Sequence, residues 1–295
     1  MTPLKRPHFV PSSYLERFLE AESDVIYLLD KNKRDIREQK PSQIMLSKQH
    51  FKEDWVPKGI DKNLLEKRVG EFLETEGKRA IDKLINEPYL LTDDDSAVLL
   101  TYLEMQKIRV PRQVNVGKEM MKAFIQYTGK RKPKKEGDEP SGEAKLLIGD
   151  SGKYQSMKMF LADSLLRNFF SRMTWRILAA PKSTPLITTD SPVSFYNPMV
   201  PPPDEAGIGF LGTTVFFPLS PGHLLELRHP GFDGADDSRF LEEVHAEETR
   251  KSLIKIELGY QLTDALASQI NFILSELADR WVVGSNESIL RNLIS

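Results

Sequence analysis

Apolar residues recur along this chain at two periods, and where one gives way to the other marks the elements. From Asp61 to about Asn86, Leu65, Val69, Phe72, Leu73 and Leu84 return at helical spacing among good helix formers, which predicts one long amphipathic helix. Pro88 closes it. Thr92 followed by Asp93, Asp94 and Asp95 offers an N-cap and first-turn carboxylates, and Leu99, Leu103, Gln106 and Val110 then share a stripe until Pro111. Dense apolar content at the same spacing from Met157 to Trp175 predicts a further helix, which APKSTP ends. Helix formers also run from Ser238 to about Trp281, with Gly259 as a break. The short apolar or alternating runs 24–31, 175–179, 186–190, 213–219 and 223–229 read as strands, the first entering a hairpin at Asp-Lys-Asn-Lys. A Pro/Gly-rich connection spans Asn197–Gly212.

No repeat and no regular strand-helix-strand alternation is present, so the pattern predicts one α+β domain over 1–295, mainly helical around a small, largely antiparallel sheet. The stretch 128–145, which contains KRKPKKEGDEPSGE, carries charge, Gly and Pro but little to bury, and is expected as a mobile loop.

Composition narrows the chemistry. There is no cysteine, which removes disulfides, thiolate metal sites and cysteine nucleophiles together. A net charge of −2 gives no global pull toward polyanions, so nucleic acid would need a local patch. KRKPKK at 130–135 is the strongest such cluster, but Glu136, Asp138, Glu139 and Glu143 partly cancel it. No run reaches about 18 uncharged apolar residues and the opening lacks the apolar core of a secretory signal, so a cytoplasmic protein without membrane contact is expected. His50, His223, His229 and His245 show no metal-ligand spacing. Phosphate-cradling Gly-rich loops are absent, as is a Gly-x-Ser-x-Gly elbow.

A set of short features stands in order over nearly the whole chain: His8, Pro11, Tyr14, Leu15 and Phe18 at the start; Glu66 and Glu74, eight apart on the long helix; Gln106, Arg109 and Arg112 at a helix end; Asp190 and Pro192 in a Thr-Asp-Ser-Pro turn; and the late helical Asn271. In these the chain resembles the family called domain of unknown function 4238. The resemblance implies a fold and a set of candidate residues, and no reaction.

The candidates suggest one chemistry. His8, just ahead of a helix started by Pro11, titrates near neutrality and suits a general acid or base. Glu66 and Glu74 lie on or beside an apolar stripe and each needs a partner; eight residues separate their Cα atoms by roughly 12 Å, too far to grip one metal ion on a straight helix. Gln106, Arg109 and Arg112 offer donors for a phosphate or carboxylate, or neutralise a helix C-terminus. Asp190, where the chain leaves a strand, either presents a carboxylate to a cleft or closes an Asx-turn. With His8, Glu66, Glu74 and Asp190 as catalytic groups and Gln106, Arg109 and Arg112 as substrate-binding groups, the expectation is a nuclease-like hydrolase of phosphodiesters. That reading leaves room for nucleic acid as partner and for a divalent metal ion recruited by carboxylates; a protein partner is unknown. The alternative is a non-enzymatic interaction module in which the same residues form a buried structural network. Exposure separates the two: catalytic groups reach open space, network groups satisfy one another.

Overall fold

The computed structural model describes residues 8–46, 64–113, 116, 165–230 and 254–294. The stretch 128–145 lies outside the described residues, as do 157–164 and 238–253 of the expected helices. Pro11 starts a single helical turn, α1 (Ser12–Leu15), continued by a 3-10 turn to Phe18. A hairpin of β1 (Ile26–Asp30) and β2 (Asp35–Gln39) follows. The long helix is α2 (Leu64–Phe72), a π turn over Leu73–Gly77, and α3 (Lys78–Asn86). Next come α4 (Asp93–Ile108), α5 (Leu165–Arg172), β3 (Thr174–Ala179), β4 (Thr188–Thr189), β5 (Ser194–Tyr196), β6 (Thr214–Ser220) and β7 (His223–Arg228). The chain closes with β8 (Lys255–Gln261), α6 (Asp264–Leu277), β9 (Trp281–Gly284) and α7 (Glu287–Arg291).

The strands form two sheets, four in the order β2-β1-β9-β4 and five in the order β5-β6-β7-β3-β8. Two sheets of this size make the protein a mixed α+β fold and correct the expectation of a mainly helical chain around one small sheet. Four strands account for the difference. β2 reads DIREQ, charged and largely exposed, and its signal is the hairpin that pairs it with β1 rather than any hydrophobic pattern. β5 and β9 are three and four residues long, below the length at which a period shows. β8 begins Lys-Ile-Glu-Leu, a period-2 alternation whose residues are also good helix formers, so propensity points the wrong way. β8 pairs with β3 in parallel, whereas every other pairing among the described strands is antiparallel.

The five-stranded sheet is covered on both faces. Val215, Phe217, Leu225 and Leu227 pack with Leu73, Ile81, Leu99 and Leu103 of the helical layer α2–α4. Phe216, Leu224 and Leu178 turn the other way, onto Ile270, Ile273 and Leu274 of α6. Coverage on both sides explains why β6 is an unbroken apolar run instead of an alternating one. The start of α4 matches its sequence signal: Thr92 and Asp95 form a reciprocal capping box, and Lys83 of α3 donates to the Asp95 carboxylate at 2.5 Å. That ammonium and the Thr92 N–H hold the Asp95 carboxyl down at about 2.

Candidate functional site

Three of the candidates, Glu74, Gln106 and Arg109, converge on the segment 8–13 that carries His8, and they grip its main chain. Ahead of Pro11 the chain is extended: His8 bridges Leu46, and the Phe9 N–H donates to the Met45 carbonyl at 2.9 Å. This strip crosses the C-terminal end of α4. Gln106 Nε2 donates to the Phe9 carbonyl at 3.1 Å, and an Arg109 guanidinium nitrogen donates to the His8 carbonyl at 2.5 Å. From the π turn, both Glu74 oxygens accept: Oε1 from the Ser12 N–H at 2.9 Å and Oε2 from the Ser13 N–H at 3.0 Å. A carboxylate thus satisfies two of the orphan donors that begin α1. Glu66 lies in the first turn of α2, and its side chain falls outside the described residues.

His8 is half-buried, with Nε2 3.2 Å from the Ser42 carbonyl. Burial pulls its pKa below the ordinary histidine value, partly offset by the Ser42 carbonyl and by Glu74, while Arg109 pushes the same way as burial. Burial therefore favours the neutral imidazole.

Tyr14 ties this segment to the sheets. Its hydroxyl lies 2.7 Å from Thr188 Oγ1 and donates to the Pro218 carbonyl at 2.6 Å, and its ring stacks on Phe217 with centroids 5.2 Å apart. Burial drives the phenol pKa far above its ordinary value, so it stays a donor. Tyr14→Phe is expected to cost about 1–2 kcal/mol, because the Pro218 carbonyl is left without its donor in the core, and urea unfolding of the variant checks it.

Asp190 belongs elsewhere, at the joint between β4 and the turn that leads from α6 to β9. It is 4% exposed and accepts three main-chain N–H groups: Asp279 at 2.9 Å, Arg280 at 2.7 Å and Trp281 at 2.8 Å. Burial pushes its carboxyl up to about 6, against the three N–H groups that favour the charged form. Arg112 faces the same joint, donating to the Leu277 carbonyl at 2.7 Å and the Pro203 carbonyl at 2.5 Å. Lys31 adds an ammonium that donates to the Ser275, Glu276 and Ala278 carbonyls. Two cations thus neutralise the last carbonyls of α6, the arrangement its dipole favours. Asn271 pins the approach to β4 by accepting from the Ile187 N–H and donating to the Pro185 carbonyl.

The candidates therefore form two clusters, joined through Tyr14 and Thr188. Among the described residues, no three His, Asp or Glu side chains gather as metal ligands. Sequence reading misses further buried or part-buried polar groups, among them Lys31, Lys107 and Tyr102. Lys31 carries no signal beyond that of a hairpin turn, and Lys107 sits in the interior on Glu205 and the Val193 carbonyl, with its ammonium 4.0 Å from the Phe195 ring centre. Tyr102 is 1% exposed, its hydroxyl without a hydrogen-bond partner among the described residues. Only a Lys or Tyr placed on an otherwise apolar helix face signals such groups, and that signal does not name the partner.

A family model described as "Protein of unknown function (DUF4238)" matches residues 6–288. No curated protein and no solved structure matches the chain. Among the described residues, no helix is long and apolar enough to cross a membrane.

Proposed function

We propose, from the premise that the chain belongs to the DUF4238 family, that it is a non-enzymatic interaction module whose recurring polar residues build the scaffold. One observation carries this reading: Glu74, Gln106, Arg109, Arg112, Asp190 and Asn271 all direct polar atoms at main-chain groups of a segment distant in sequence. A catalytic group must keep an atom for substrate, whereas a group that holds backbone is fixed by the fold itself. The same residues fasten the N-terminal strip to α4 and the π turn, and β4 to the end of α6.

The second reading, a phosphodiester hydrolase, is favoured by the proximity of His8, Glu74 and Arg109, whose charges act on one another. The two readings part on a simple measurement. Purified protein incubated with single-stranded RNA and DNA, with and without Mg²⁺ or Mn²⁺, is expected to release no fragments. Arg109→Ala is expected to lower the thermal midpoint by several degrees, since it strips a charged donor from the His8 carbonyl. Cleavage that disappears in His8→Ala while the midpoint stays put would overturn the module and install the hydrolase.

A further inference from the structure

Away from both clusters, a groove of about 220 Å³ opens where the end of α3 stops short of the edge of the five-stranded sheet. It is lined by Ile177 and Ala179 of β3, by Tyr89 after α3 and Tyr260 of β8, both exposed, and by His223 and Gln261. None of its lining residues is Asp, Glu, Lys or Arg, although charged residues make up 28% of the sequence. The nearest charges, Arg176 and Glu257 beside Tyr260, pair with each other at 3.0 Å, so the lining favours an uncharged occupant. The volume lies below the roughly 300–1,000 Å³ of sites for drug-sized molecules, which limits the occupant to one or two rings.

Two polar side chains in the lining can hydrogen-bond such a ring. His223 Nδ1 is 3.1 Å from Ser220 Oγ, and neither Nε2 nor the Gln261 amide has a hydrogen-bond partner among the described residues. Only burial acts on the imidazole, and it lowers the pKa, so the ring meets a ligand neutral near pH 7. Between Arg176 and Leu178 of β3 the register of β8 advances by an extra residue, a bulge that brings Leu258 and Gly259 into the groove wall. Gly259 has φ +87, and a Cβ there would meet nothing within 4 Å, so the chain approaches open space in a conformation that glycine alone adopts easily. Arg176 lies 4.8 Å from the Tyr260 ring centre, and Glu257 accepts from the Tyr260 hydroxyl at 3.1 Å, which hold the tyrosine in position.

We infer that this groove binds a small, uncharged, planar aromatic ring bearing an amide-like edge, stacked near Tyr89 and Tyr260 and hydrogen-bonded by His223 and Gln261. The inference rests on the non-enzymatic reading and gives the module a ligand class.

The test titrates the full-length protein, labelled at histidine ring carbons and backbone amides, with three probes of one size. Benzamide is expected to shift the His223 ring and the Tyr260 and Gln261 amides saturably. Benzoate carries a charge and cyclohexanecarboxamide lacks the aromatic ring, and each is expected to bind at least about tenfold more weakly. Ala179→Leu, which enlarges a side chain of the lining, should abolish the shifts, and His223→Ala should weaken them with the thermal midpoint unchanged. Equal binding of all three probes, no saturable shift with benzamide, or shifts that survive both substitutions would overturn the groove assignment. If Ala179→Leu does not fold, the His223→Ala comparison and the probe series still decide it. Failure here leaves the cleavage and stability results of the module intact, whereas conversion of benzamide to benzoate and ammonia, lost in His223→Ala, would instead overturn the non-enzymatic reading.

Discussion

Asp190→Asn is expected to destabilise the protein by about 3 kcal/mol, a fall of roughly 5–10 °C in the thermal midpoint. The carboxylate accepts three main-chain N–H groups with two oxygens while 4% exposed. An amide keeps one oxygen and turns its NH₂ toward N–H groups that it cannot accept from, so at least one donor is stranded in a dry site. The cost concentrates at the turn between α6 and β9, where Arg280 also pairs with Asp30 at 2.7 Å. Amide hydrogen exchange should therefore quicken first at Asp279, Arg280 and Trp281. The pH dependence gives a second handle, and its sign is fixed by the raised pKa. The folded chain holds a proton on Asp190 up to about pH 6, whereas the unfolded chain releases it near 3.8. That contribution to stability is present in full below 3.8 and is lost as the pH rises through about 6. The gap between the native protein and Asp190→Asn should accordingly be wider at pH 4.5 than at pH 8, by about 1–2 kcal/mol. An unchanged midpoint would mean that the three N–H groups find other acceptors, and it would return Asp190 to the catalytic candidates.

Elements with a strong private signal are legible in the sequence, and those defined by a partner are not. The capping box of α4 is written in Thr92 and Asp95, three residues apart, and forms as that spacing predicts. β1, β3, β6 and β7 carry enough apolar residues to be seen alone. β2 and β9 exist because β1 is there to pair with them, and no local pattern records a pairing. β8 shows the conflict most clearly, because Lys, Glu and Leu favour helix while the alternation with Ile favours strand, and the open side of β3 decides the matter.

The candidate residues are legible as a set and not as a geometry. Spacing puts Gln106 and Arg109 on one face of a helix end, where both are found, facing the strip 8–9. Nothing in spacing reveals that their partners are carbonyls and not a ligand, since a main-chain group has no letter in the sequence. Asp190 illustrates the same point: the Asx-turn reading looks for donors nearby and the cleft reading for open space, whereas the actual donors lie some ninety residues downstream. The groove at Tyr89 and Tyr260 has no signal at all, because its walls come from segments that are individually ordinary.

Gly77→Ala is the second large effect expected, and its sign opposes helix propensity. In an ordinary helix interior alanine is better than glycine by about 1 kcal/mol. Gly77, however, ends the π turn against the ring of Tyr102, and a Cβ built there would lie 2.2 Å from Cδ2 and 2.7 Å from Cε2. The ring has little room to yield: Tyr102 is 1% exposed and sits against Phe217, with centroids 5.9 Å apart. Overpacking of this kind costs about 1–3 kcal/mol beyond the lost propensity gain, so the net destabilisation is about 2 kcal/mol. The π turn is implicated with it, because the same five residues carry Glu74, whose oxygens hold Ser12 and Ser13; a shift of the turn loosens the N-terminal strip as well. Tyr102→Ala alone leaves a cavity worth about 3–5 kcal/mol, but in that background the methyl group added by Gly77→Ala has space to occupy. The double variant should therefore be no less stable than Tyr102→Ala, giving a coupling of about 2 kcal/mol between the two sites by urea unfolding. If Gly77→Ala instead raised the midpoint, the ring of Tyr102 would be free to move off the π turn, and the grip of Glu74 on α1 would have to be set by some other element.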